Sequence, residues 1–130
     1  MKKIALMLGI LLALLPNASY ASFINNYNDW SKLSDSQKSA YGYALWDQAM
    51  NIGNADDPNY IALTTGLTNC QKAVNFDGAM ISAAIDRYYR LDQRHLKYAP
   101  PNVFYTTIVF GTCREDINKE RVAKHLETVK

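Results

Sequence analysis

The sequence predicts an all-α domain, a compact bundle of four to five short helices braced by one disulfide. Three observations point there. Helix-start signals stand at Ser34, Asp57 and Asp77. The apolar residues after them recur at three- and four-residue steps instead of alternating. One β-prone segment, residues 103–110, has no second strand to pair with, and a lone strand cannot satisfy its edges.

The chain of 130 residues begins with a segment that stands outside this fold. Lys2 and Lys3 precede an unbroken apolar or small run over residues 4–15, which Pro16 and Asn17 break. Ser19 and Ala21 then occupy the −3 and −1 positions of a cleavage site. This is the build of a secretory signal peptide over residues 1–21. The run is shorter than the about 20 apolar residues a membrane-spanning helix needs, so no membrane insertion is expected after cleavage. A single helical domain, residues 22–130, remains and is expected in the periplasm.

Residues 22–28 read as a loose polar arm. Ser34 and Gln37 have capping-box spacing, and the helix they start places Tyr41, Ala44, Leu45, Ala49 and Ile52 on one face. Gly53 follows as the C′ residue. Trp30 and Trp46 are expected as core or groove walls, not as ligand platforms. Asp57-Pro58 starts a second helix with an N-cap and a proline at N1. Thr64, Thr65 and Gly66 lower its propensity and predict an end near Thr65. Asp77 starts a third helix, flanked by a Phe76–Ile81 staple. Its buried face is expected to be Ile81, Ala84, Ile85 and Tyr88, and it should end near Leu91. Pro101 opens a helical reading of residues 103–110. Thr112 and Glu115 repeat the capping-box spacing before a terminal helix lined by Val122, Leu126 and Val129.

Charge and composition exclude several functions. Without residues 1–21 the formal net charge is zero, which gives no support to a nucleic-acid or anionic-membrane partner. Cys70 and Cys113 are the only cysteines. In an oxidising compartment such a pair reads as a structural disulfide. A redox or metal-binding thiol pair is the alternative, and it lacks close C-x-x-C spacing. His95 and His125 lack the i, i+4 spacing of a helical zinc pair. No cofactor or metal is expected. No Gly-x-Ser-x-Gly elbow or Gly-rich phosphate loop occurs. Asp47, beside Trp46, is the only carboxylate to nominate for hydrolysis, and an enzyme is not the expected class. The chain carries nine tyrosines. Several lie among arginines over residues 87–98, a composition suited to protein interfaces, and Tyr89, Arg90 and Arg94 are the candidate contact residues. The competing reading of that stretch is a core Tyr88 with solvated arginines around it.

The pattern Tyr41-x-x-Ala44-x-x-Asp47, then Cys70, then Ile85-Asp86-Arg87-Tyr88-Tyr89, a proline-started segment and Cys113 resembles the Rap1a/Tai family of small exported bacterial proteins. It departs from that family at Ser39-Ala40, where a cysteine is usual, and at Ala44, where a glycine is usual. The resemblance implies a periplasmic immunity protein that blocks a peptidoglycan-cleaving amidase delivered by type VI secretion. The alternative class is an envelope stress chaperone or accessory protein. A homodimer is compatible with the composition and not required by it.

Overall fold

The computed structural model describes residues 23–130; the expected signal peptide lies outside them. Among the described residues there are six α-helices and no strand. These are α1 (Tyr27–Trp30), α2 (Asp35–Asn51), α3 (Pro58–Val74), α4 (Gly78–Leu91), α5 (Pro100–Phe104) and α6 (Arg114–Ala123). A 3-10 turn (Gln93–Lys97) precedes α5, and a π-helical stretch (Tyr105–Thr112) continues it. No helix here is long and apolar enough to cross a membrane.

The helix starts are those the sequence marks. Ser34 and Gln37 form both halves of a capping box at α2. The Asp57 carboxylate accepts from the Asn59 amide at 2.9 Å, with Pro58 at the first turn of α3. Asp77 accepts from the Met80 amide at 2.7 Å at α4. Each cap satisfies a backbone donor that a helix end leaves open.

Two helix pairs make the frame, α2 against α4 and α3 against α6, and the α5–π rod lies between them, touching α4 and α6. Both pairs close on glycine. A Cβ on Gly42 would stand 2.7 Å from the Gly78 carbonyl oxygen, and one on Gly66 would stand 2.7 Å from the Ile117 amide nitrogen. Helix axes approach this closely only where no side chain intervenes. The core between the pairs holds Trp30, Leu67, Ile81, Ile85, Phe104, Ile108 and Ile117, all almost fully buried. Trp46 joins it edge-on to Phe104. Cys70 and Cys113 are bonded, with Cα atoms 5.4 Å apart, and fasten the last third of α3 to the start of α6.

The structure corrects several expectations. The arm before Trp30 is ordered as α1, because Trp30 is fully buried and Asn26 caps its turn. Helix α3 does not end near Thr65; it runs on through Gly66, whose bare Cα is what admits α6. Ala44 on α2 and Ile52 just past its end are exposed, while Gly42 and Trp46 are buried beside Leu45 and Ala49. On α4 the buried line is Gly78, Ser82, Ile85 and Tyr89, with Ile81 beside it. Tyr88 lies at its edge, half-buried. Residues 103–110 are helical, as the missing partner strand implied, and Pro100 takes the first position with Pro101 second.

The Thr112–Glu115 box is absent. Cys113 is the N-cap of α6, and the Thr112 hydroxyl donates to the Thr107 carbonyl at 3.1 Å. The terminal helix stops at Ala123. His125 takes a left-handed conformation (φ 58°), and Leu126 N–H donates to the Arg121 carbonyl at 2.9 Å in a Schellman closure. Residues 124–130 then turn back along α6. The Asn118 side chain exchanges two hydrogen bonds with the Val129 backbone, at 2.8 and 3.0 Å. Val122 is left exposed, and Val129 reaches the core from this non-helical strap.

Two outcomes follow for stability. Gly66→Ala should lower the unfolding free energy by roughly 1–3 kcal/mol despite alanine's better helix propensity, because the methyl meets backbone atoms of α6; denaturant unfolding measures it. Breaking the bridge in a Cys70→Ser, Cys113→Ser pair frees a loop with a sequence separation of 43 residues. The chain-entropy relation puts the loss at about 4 kcal/mol, read as a lower denaturant midpoint with a steeper slope, because the unfolded chain without the bridge is less compact.

Candidate functional site

The C-terminus of α4 determines what surrounds it. The carbonyls of the last helical turn have no intrahelical donor. Tyr88 supplies one of these, and His95 Nδ1 donates to it at 2.9 Å from the 3-10 turn. The bond brings the imidazole flat onto the Tyr88 ring, with centroids 4.0 Å apart and planes 12° from parallel. Asp92 makes the reversal of chain direction possible. Its carboxylate accepts from the Arg94 amide at 2.8 Å and from Arg94 Nε at 2.9 Å. The Arg94 guanidinium therefore holds the Asp92 carboxyl below the usual range, and Asp92 in turn holds Arg94 above its own.

Tyr89 fixes the far end of the same turn. Its hydroxyl donates to the Tyr98 carbonyl at 2.8 Å, and its ring packs on Tyr27, with centroids 5.2 Å apart. The ring is 2% exposed. Burial first, then the neighbouring Tyr41, Asp86 and Tyr88, push its phenol well above the ordinary tyrosine value. The Tyr41 phenol is raised by burial as well.

Beneath the turn, Asp86 ties three helices together. It accepts from Trp30 Nε1 at 2.7 Å and from Lys38 Nζ at 3.0 Å, while the ammonium lies 5.3 Å from the Trp30 ring centre. The cluster is internally satisfied, so its role is to seat α1 and α2 against α4.

Between α4, the 3-10 turn and α5 opens a cleft of about 360 Å³, lined by Tyr88, Tyr98, Asn102, Val103 and Thr106. Tyr98 is 40% exposed at its mouth, and Lys97 lies over its ring with Nζ 5.4 Å from the centroid. One wall is the passage from α5 into the π stretch. There the Thr106 and Thr107 hydroxyls donate back to the Asn102 and Val103 carbonyls at 2.9 and 2.8 Å. Such back-bonding loosens α-helical geometry, and π turns concentrate at functional positions.

The three residues nominated from sequence part company here. Tyr89 is in the core and supports the site from below instead of facing a partner, because the Gly78–Ser82 side of α4 packs on α2 and carries Tyr89 inward with it. Arg90 is exposed on α4, and Arg94 is exposed with its guanidinium engaged by Asp92. The sequence reading missed Tyr88, His95 and Tyr98 as one aromatic group and Asn102 and Thr106 as its wall. The available signal was Asp92, which caps a new turn directly after α4. Asp47 stands exposed on α2 and does not line this cleft, its backbone carbonyl accepting from the Asn51 side-chain Nδ2 at 2.7 Å.

Among the described residues no three His, Cys, Asp or Glu side chains are placed to hold a metal ion. Every buried side-chain nitrogen or oxygen there has a hydrogen-bond partner. Compared with known proteins, the chain matches no family model, no curated protein and no solved structure.

The raised Tyr89 and Tyr41 phenols give a pH signature. The folded state keeps protons that the unfolded state releases above about pH 10. The stabilisation is therefore complete below that pH and falls as pH rises beyond it. Thermal unfolding between pH 8 and pH 11.5 should show this fall, and Tyr89→Phe should flatten it while lowering stability at neutral pH by roughly 1 kcal/mol for the lost hydrogen bond.

Proposed function

We propose that this protein is a periplasmic binding protein of the immunity type, which sits on a secreted peptidoglycan amidase and occludes its active-site cleft. The observation that carries this reading is the pre-ordered aromatic group at the end of α4. Tyr88 and His95 are locked face to face, and Tyr98 projects beside them. Aromatic side chains already immobilised lose little freedom on binding, and tyrosine and arginine are the types that dominate binding energy at protein interfaces. Leu91, 68% exposed, adds an apolar contact next to the arginines of α4. The family-like pattern from Tyr41 to Cys113 supports the reading, as does a disulfide suited to an oxidising compartment.

The test is inhibition. The purified, disulfide-bonded protein, mixed with the secreted amidase its producer makes, should form a one-to-one complex and stop release of peptides from peptidoglycan. Tyr98→Ala should weaken that inhibition roughly tenfold or more without changing the melting temperature, since the Tyr89 bond is to the Tyr98 backbone. Undiminished hydrolysis at saturating protein, or an unchanged inhibition constant for the Tyr98 variant, refutes the reading or the face assigned to it.

A further inference from the structure

We infer that residues 124–130 are a latch with two states: the strap seen here, which closes over the groove between α3 and α6, and a continuation of α6, which opens it. The latch does not depend on the inhibitor function proposed above. Helix α6 breaks where nothing in the sequence obliges it to. Residues 112–130 contain neither glycine nor proline. The position just past the cap of α6, where a left-handed backbone favours glycine, is held by His125 at φ 58°. That conformation is unfavourable for an L side chain. The same residues suit a helix. Val122, Leu126 and Val129 recur at i, i+4 and i+7. Glu120 stands four residues before Lys124, the favourable order for a helical ion pair, and Lys124, Leu126 and Glu127 are good helix formers.

What holds the strap against this tendency is small and local. Past Leu126 it makes no backbone–backbone hydrogen bond among the described residues. Two side chains of α6 fasten it: Asn118, through its pair of bonds to the Val129 backbone, and Arg121, whose Nε donates to the Glu127 carbonyl. Val129 anchors the strap on the core, but it is only half-buried. It forms one wall of a cavity of about 260 Å³ beside Tyr60, Leu63, Phe110 and Ile117 instead of filling it. On release, water satisfies the Asn118 and Arg121 side chains, and Val122, 60% exposed beside the hinge, joins Leu126 and Val129 in one stripe. Segments held by so few contacts open locally, well below the free energy of global unfolding.

Amide hydrogen exchange and Cα chemical shifts of the purified, disulfide-bonded protein test the latch. The Val129 amide, bonded to Asn118, should exchange roughly a hundredfold faster than the Ile117 amide inside α6. His125→Gly, which accepts the left-handed turn and disfavours a helix, should slow Val129 exchange roughly tenfold, and His125→Ala, with the opposite preferences, should speed it roughly tenfold. Asn118→Ala should free the strap and move the Cα shifts of residues 124–128 to helical values while Ile117 stays protected. Val129 exchange no faster than that of Ile117 overturns the inference, as does equal exchange in the two His125 variants. Coil-like shifts at residues 124–128 in Asn118→Ala also overturn it, because the freed segment then has no second structure. If Asn118→Ala loses Ile117 protection as well, the Cα shifts of His125→Ala, a change at an exposed position, decide: displacement toward helical values upholds the latch, and none overturns it.

Discussion

Everything in this domain hangs from the place where α3 meets α6. Gly66 lets the Ile117 backbone come to van der Waals range, and one turn further along α3 Cys70 is bonded to Cys113. The two contacts differ in kind. The glycine sets how near the axes lie, and the sulfur bridge sets which residues are opposite each other. With both satisfied, α6 has one position available. The π stretch ending at Thr112 is then drawn across the core, so that Ile108 and Val109 face inward. Its other end, through α5, forms a wall of the candidate cleft.

That cleft owes its shape to backbone groups needing partners. Helix α4 stops at Leu91 with carbonyls open, and the chain answers by turning back within a few residues, using Asp92 to cap the turn and His95 to reach the Tyr88 carbonyl. The aromatic stack is thus a by-product of closing a helix end. Tyr88 and His95 are fixed by that requirement alone, and side chains already immobilised lose little freedom in any further contact. Tyr89 contributes by holding the Tyr98 backbone from inside the core.

How much of this the sequence discloses differs by element. Local chemistry is legible: the caps at Ser34, Asp57 and Asp77, the double proline that opens α5, the pairing of Cys70 with Cys113, and the burial of both tryptophans follow from residue types and spacing. What a contact elsewhere in the chain decides is not. Apolar periodicity on α4 points to Tyr88, yet the inward line runs through Gly78 and Ser82, small residues that a hydrophobic pattern passes over. Gly66 reads as a stop until α6 is known to lie against it. The terminal strap is invisible for the same reason, since Asn118 reveals nothing of its bond to Val129 until the chain has folded back. The cleft lies between both kinds. Its tyrosines stand out in the composition, but their grouping depends on where α4 ends and how sharply the chain reverses.

Helix α3 has a final consequence. Its middle reads Thr64-Thr65-Gly66-Leu67-Thr68-Asn69-Cys70, and most of these residues are poor helix formers when alone. The Thr64 and Thr68 hydroxyls bond back to carbonyls of their own helix, which does not favour the helix further. Excised as a peptide, this segment would be largely coil. Its helicity is conferred by α6 and the core, and α6, short and highly charged, depends on α3 in return. Neither element has a reason to persist without the other. The domain therefore has no half-folded state built on either helix, and should lose its structure in a single cooperative step.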